Sequence, residues 1–176
     1  MRVIGGIYRS RRLKSPPGAA VRPTPDRLRE TLFSILAPRL DGCTFVDAYA
    51  GCGAVGIEAL SRGAAQAIFI EKSRLALAAL RENLGMLQIG AEGKVIQGSS
   101  HIYLPGLRAD TYFLDPPYDR PAEYASCLGK LSPPAGAIVI AQHSAHLVLE
   151  DAYACLRRCR QVRQGRNVLS FYEVRA

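Results

Sequence analysis

The sequence predicts an α/β fold: a mostly parallel sheet with helices on both faces, finishing in an antiparallel hairpin. Three observations predict it. Short β-branched and apolar runs alternate with longer runs of helical period from residue 44 to residue 141. A glycine-rich turn, Gly51-Cys52-Gly53, follows the first of those short runs. Near the C-terminus, two strand-like runs flank Gln164-Gly165-Arg166-Asn167.

Residues 1–22 divide from the rest. Val3-Ile4, Ile7-Tyr8 and Leu13 are short apolar pieces among Gly, Pro and Arg, which predicts a small, exposed basic hairpin or loose arm. Residues 23–176 form the main domain. Thr24 can cap a helix, Pro25 suits its first position and Asp26 complements the positive end of its dipole. Leu28, Leu32, Ile35 and Leu36 make its buried stripe, Arg27 and Arg29 lie off that stripe, and Pro38 ends it.

Thr44–Ala48 reads as a buried strand, and 54–62 as a helix closed by Gly63. Ala67–Glu71 is a second strand. Residues 73–87 form a helix with Leu77, Leu80, Leu84 and Leu87 on one face. Strands follow at 94–97, 111–115 and 137–141, with a helix over 121–131. Residues 155–162 and 168–175 form the closing hairpin.

Composition bounds the function. The chain has 176 residues, 48% apolar, enough for one domain with a full core. No apolar run spans a bilayer and no signal core is visible, so a cytoplasmic protein is expected. The five cysteines lack paired spacing, which argues against a disulfide framework and a zinc site. His101, His143 and His146 have no third ligand and read as surface or loop residues, so no metal is expected.

Charge placement is informative. The net charge is +8. Residues 1–39 hold nine Lys/Arg against two Asp/Glu, and residues 151–176 six against two, whereas 40–150 hold eight against eleven. Basic ends around a mildly acidic middle point to a polyanionic partner, with Arg9, Arg11, Arg12, Lys14 and Arg22 as phosphate contacts.

Two motifs carry chemistry. Asp47-Ala48-Tyr49-Ala50-Gly51-Cys52-Gly53-Ala54-Val55-Gly56 joins a strand to a helix, and Glu71 ends the next strand, where a carboxylate can accept ribose hydroxyls. By spacing alone a nicotinamide dinucleotide also fits. Asp47 argues against it: a carboxylate there repels a pyrophosphate and attracts a cation such as the amino group of S-adenosylmethionine. Opposite charges at about 4 Å gain roughly 4 kcal/mol at an effective dielectric near 20, before desolvation.

The second motif is Asp115-Pro116-Pro117-Tyr118 at the end of a strand. Ligands of open parallel sheets bind beyond the carboxyl ends of the strands. An exocyclic base amine is a poor nucleophile. Asp115 and a proline carbonyl, that of Pro116, can each accept one of its N–H groups and aim the nitrogen lone pair at a methyl donor. Pro116 and Pro117 stiffen the loop, and Tyr118 offers a stacking face.

These residues resemble the class I methyltransferases that use S-adenosylmethionine to modify nitrogen. Ile4-Gly5-Gly6, the run from Arg22 to Phe33 and the run from Gly56 to Ala64 are similar, more narrowly, to the bacterial small-subunit (16S) ribosomal RNA guanine-N2 methyltransferases. The resemblance runs nearly end to end. It implies a Rossmann-like, seven-stranded sheet, a guanine amino group of ribosomal RNA as target and an assembled or assembling small subunit as substrate. It implies that Asp47, Gly51 and Gly53 line the methionine part of the cofactor, that Glu71 holds the ribose and that Asp115–Tyr118 holds the base. Ala48, Lys72 and Asp115 complete the cofactor set, with Ser99 facing the adenine.

The sequence departs from the family pattern at Cys52, Ser99 and Gln142. Two alternatives stay open: a DNA adenine-N6 methyltransferase, for which 176 residues leave little room, and a non-catalytic RNA-binding assembly factor with a decayed cofactor site. A monomer is expected.

Overall fold

A computed structural model of the protein describes residues 1–16, 25–117 and 119–175. The expectations for Arg22, Thr24 and Tyr118 lie outside the described residues. In chain order the elements are α1 (Asp26–Leu40), β1 (Thr44–Asp47), α2 (Ala54–Ser61), β2 (Gln66–Glu71), α3 (Arg74–Met86), β3 (Gly93–Gln97), α4 (Ser100–Tyr103) with a 3-10 turn (Leu104–Gly106), β4 (Thr111–Leu114), α5 (Ala122–Leu128), β5 (Ile138–Ser144), β6 (Ala152–Tyr153), β7 (Leu156–Gln164) and β8 (Asn167–Val174).

The strands form one sheet in the order β3-β2-β1-β4-β5-β8-β7-β6. The first five are parallel and the last three antiparallel. The sheet has eight strands, not seven. The extra one, β6, is a two-residue pairing of Ala152 and Tyr153 with the start of β7, too short to leave a period-2 pattern in the sequence. The strand order reverses between β1 and β4, so the carboxyl ends of these two strands flank the crevice where ligands of such sheets bind.

Alternation along each strand divides the core between the faces. Phe45, Phe69, Phe113, Ile140 and Phe171 pack on one side against α1, α2 and α3, through Leu32, Phe33, Ile57 and Leu80. Val46, Ile70, Tyr112, Val139 and Tyr172 pack on the other against Tyr124 and Leu128 of α5 and against Leu104. Each buried Phe or Leu contributes about 1.5–3 kcal/mol.

The first residues are docked rather than loose. Residues 1–13 double back through an antiparallel bridge between Arg2 and Arg12, and Val3 and Leu13 are buried. The fully buried carboxylate of Glu58 on α2 accepts the amides of Ile4 and Gly5 at 2.8 Å each. Ile7 N donates to Ser61 O at 2.8 Å.

Three further expectations change. Arg29 is fully buried, because its guanidinium folds back to donate to Arg2 O at 2.8 Å and to Asp26 Oδ1 at 2.7 Å. Pro38 lies inside α1, which runs on to Leu40. His143 is a buried β5 residue with Nε2 2.9 Å from Ser170 Oγ, and burial lowers its pKa. None of the described helices is long and apolar enough to cross a membrane.

Candidate active site

The glycine turn is built by backbone bonds. Ala48 N donates to Phe113 O, Ala50 N to Ile70 O and Gly53 N to Ala50 O. The turn is thereby tied to β4 on one side and β2 on the other. The glycines have different reasons. Gly51 has φ of 55° and open space where a Cβ would stand; Gly53 has φ of 88°, and its Cβ would meet Leu80 Cδ1 at 2.4 Å. Close packing therefore accounts for Gly53, and the conformation for Gly51.

Asp47 ends β1 and is 1% exposed. Its Oδ2 accepts the amide of Gly56, in the first turn of α2, at 2.9 Å. Burial pushes its pKa up to about 7, opposed by the amides of Gly56 and Tyr49 and reinforced by the charge of Glu71. Glu71, at the end of β2, accepts Gly51 N on Oε2 and the amides of Lys72 and Ser73 on Oε1, all at 2.8 Å. Its carboxylate is thus held rigid: two amides fill Oε1, and Oε2 keeps lone-pair capacity for one further donor.

Ser99 stands where β3 passes into α4 and makes no side-chain cap bond. The sequence gives no sign of its neighbour's role: Ser100 is buried, and its hydroxyl donates to the carbonyl of Ala48. Asn83 is another buried bracket, donating from Nδ2 to Lys14 O and Cys52 O while its Oδ1 accepts Lys14 N. A lone Asn in a leucine-rich helix is the only sequence signal for it.

Lys72 reaches across the crevice to α5, with Nζ 3.6 Å from Glu123 Oε1. Burial opposes ionisation of Glu123, but the Tyr49 hydroxyl, Arg120 and Lys72 outweigh it and hold its pKa below the ordinary carboxylate value. Tyr49 OH also lies 3.2 Å from Cys127 Sγ, and burial raises the pKa of that phenol.

Asp115 follows β4 directly. It is half-buried, Pro116 is buried and Pro117 exposed. The carbonyl of Pro117 accepts Arg120 N at 2.9 Å, whereas no hydrogen bond engages that of Pro116 among the described residues. Because Asp47 pairs with Phe113 in the parallel β1–β4 ladder, the turn after Asp47 and the loop after Leu114 leave neighbouring strand ends on one edge of the sheet. Gln142, one residue beyond the Leu114–Ala141 pair, is 2% exposed, and its side-chain oxygen has no partner among the described residues.

The basic residues of the first segment lie elsewhere. α2 runs from the glycine turn toward the amino edge of the sheet, and the bonds of Ile7 and Tyr8 to Ser61 hold the tip of the segment at its far end. Arg9, Arg11 and Arg12 are exposed, and Lys14 pairs with Glu82. No group of His, Cys, Asp and Glu suited to a metal ion occurs among the described residues. All five cysteines are free.

A family model described as conserved hypothetical protein 95 matches residues 1–173. The chain belongs to this family. Its relatives include Ribosomal RNA small subunit methyltransferase D of Escherichia coli K12, 42% identical over 122 residues. That match covers 68% of this chain and 61% of the relative, so it spans less than two thirds of the relative's length. Putative rRNA methyltransferase YlbH of Bacillus subtilis is 36% identical over 123 residues, 67% of each chain. Among solved structures, the putative methyltransferase yhhF from Escherichia coli superposes with a TM-score of 0.88 at 32% identity, covering 100% of this chain and 98% of that one. The family fold is therefore the Rossmann-like methyltransferase fold.

Proposed function

We propose that the protein transfers a methyl group from S-adenosylmethionine to the exocyclic N2 of a guanine in small-subunit ribosomal RNA. The observation that carries this reading is the adjacency of two loops: the glycine turn, with Asp47 and Glu71, and Asp115-Pro116-Pro117, on neighbouring strand ends. The names of the relatives, both of them rRNA methyltransferases, support it.

The residues fit such a cofactor. Asp47 is an acidic group beneath the turn, Gly51 leaves room for close approach, and Glu71 is already oriented by three amides. In this reading Ala48, Gly53, Lys72 and Ser99 complete the cofactor contacts. When bound, the cofactor supplies an electrophilic methyl on a sulfonium. Asp115 and the Pro116 carbonyl accept the two N–H groups of the guanine amine and orient its lone pair. Pro117 holds the loop through its bond from Arg120. Tyr118 is the stacking face for the flipped base in this reading. Arg9, Arg11, Arg12, Lys14 and Arg22 serve as peripheral phosphate contacts, and the substrate is a small-subunit particle.

Asp115→Ala tests it. The variant should still fold and bind S-adenosylmethionine, with calorimetric affinity reduced far less than methyl transfer to small subunits from cells lacking the enzyme, which falls at least a hundredfold. Near-normal turnover would remove Asp115 from the mechanism. Transfer to duplex DNA and not to subunits would replace the RNA reading.

A further inference from the structure

A cleft of about 540 Å³ opens where the N-terminal turn of α1 meets the β7–β8 turn. Arg27 and Leu28 form one wall, Arg166 and Asn167 the other, with Ser144 at the end of β5 and His146 just after it. Its size is in the range that accepts a small organic group. No carboxylate lines it among the described residues. On α1, Asp26 is engaged by the guanidinium of Arg29 at 2.7 Å, and Glu30, one turn after Arg27, makes no ion pair with it. Arg27 and Arg166 are both exposed, and neither has an ion-pair partner among the described residues.

The cleft lies on the edge of the sheet that carries the reacting loop. Leu114 pairs with Ala141, and Ser144 pairs with Asn167. Asp115 and Asn167 are therefore two strands apart across the sheet and about two residues apart along it, roughly 12 Å at ordinary strand spacings. Ala145 N donates to Arg166 O at 2.9 Å, which anchors the β7–β8 turn to the segment after β5. Arg163 Nε donates to Gly165 O at 3.2 Å and brings a further positive charge to the same turn. The tip of the N-terminal segment, by contrast, sits at the opposite edge.

We infer that this cleft holds a nucleotide flanking the target base, with Arg27 and Arg166 clasping its phosphates from opposite walls. The inference rests on the proposed rRNA methyltransferase activity and deepens it. A base drawn out to Asp115 must leave its strand running across this same edge. Two unpaired guanidiniums with no carboxylate between them complement a phosphodiester, and a guanidinium plane also stacks on an unpaired base. The first-segment arginines then serve peripheral contacts, while the cleft sets the register of the strand next to the reacting amine.

The test compares Arg27→Gln/Arg166→Gln with a control that removes two charges at the amino edge, Arg108→Gln/Arg157→Gln. The substrate is small ribosomal subunits from cells lacking the enzyme. Methyl transfer, binding of fluorescently labelled subunits and calorimetric affinity for S-adenosylmethionine are measured for each protein. The cleft variant should raise KM and weaken subunit binding at least tenfold, with kcat within twofold and cofactor affinity unchanged. Its affinity should lose about 1.4 from the slope of log K against log salt, for two single-strand phosphate contacts. Equal loss in both variants, or none in the cleft variant, overturns the inference. If the native protein binds subunits but transfers no methyl group, the proposed activity falls. The labelled-subunit comparison still decides for or against the cleft.

Discussion

Asp47 Oδ2 accepts the amide of Gly56 at 2.9 Å beneath the glycine turn, in a setting that leaves the carboxyl 1% exposed. Burial raises its pKa from 3.8 to about 7. The folded state therefore holds this proton more tightly than the unfolded chain. The resulting stabilisation is fully present below about pH 4 and is lost as pH rises through about 7. A bound cation reverses the preference, because it favours the ionised carboxylate. Affinity for S-adenosylmethionine should fall as pH drops below about 7, and binding at pH 6 should release protons. Calorimetry in buffers of different ionisation enthalpy reads that release. Asp47→Asn should abolish it and bind the cofactor more weakly. Unchanged proton release in Asp47→Asn would assign the titration to another group.

Gly56 and Gly85 make a matched pair of helical glycines with opposite expected outcomes. A Cβ on Gly56 would stand 2.3 Å from Cε1 of the fully buried Phe69, whereas one on Gly85, on the exposed side of α3, would meet nothing within 4 Å. Alanine gains about 1 kcal/mol of helix propensity at either site. At Gly56 overpacking costs about 1–3 kcal/mol and should win. Gly56→Ala should lower the melting temperature, and Gly85→Ala should raise it by about 2–4 °C for a chain of this size. A rise in both would show that the Phe69 ring shifts at little cost.

The sheet and the two loops at its carboxyl edge were legible because they rest on local rules. Strand runs such as Thr44–Asp47 and Thr111–Leu114 are short, apolar and bounded by turn residues, and alternation with helical periods implies parallel pairing. Spacing between Gly51 and Glu71 places one carboxylate at the next strand end, where it does accept the Gly51 amide. What was not legible depends on partners distant in sequence. Arg29 falls off the apolar stripe of α1, yet it is buried because the carbonyl of Arg2, 27 residues away, receives its Nη2. The docking of the first segment depends on Glu58, 54 residues beyond Ile4 and inside a mostly apolar helix. The β7–β8 cleft arises only when α1 and the closing hairpin meet, a contact that neither segment's own pattern encodes.

Glu58 supplies the last prediction. Its side chain is fully buried and accepts Ile4 N, Gly5 N and, at 2.7 Å, Arg62 Nε. Alanine at this position leaves two part-buried amides without an acceptor and removes the carboxylate beside Arg62, whose side chain is 22% exposed and so partly hydrated. Desolvated donors cost about 1–3 kcal/mol each, so Glu58→Ala should destabilise the fold by roughly 2–4 kcal/mol. Glu58→Gln, which keeps one acceptor oxygen, should cost about half as much. The loss should be local first: amides of residues 3–13 should exchange faster than those of β1 and β4, and a protease should cut within residues 1–13 before the rest of the chain. If exchange there stays as slow as in the native protein, burial of Val3 and Leu13 holds the segment. The Glu58 carboxylate then only tunes its register.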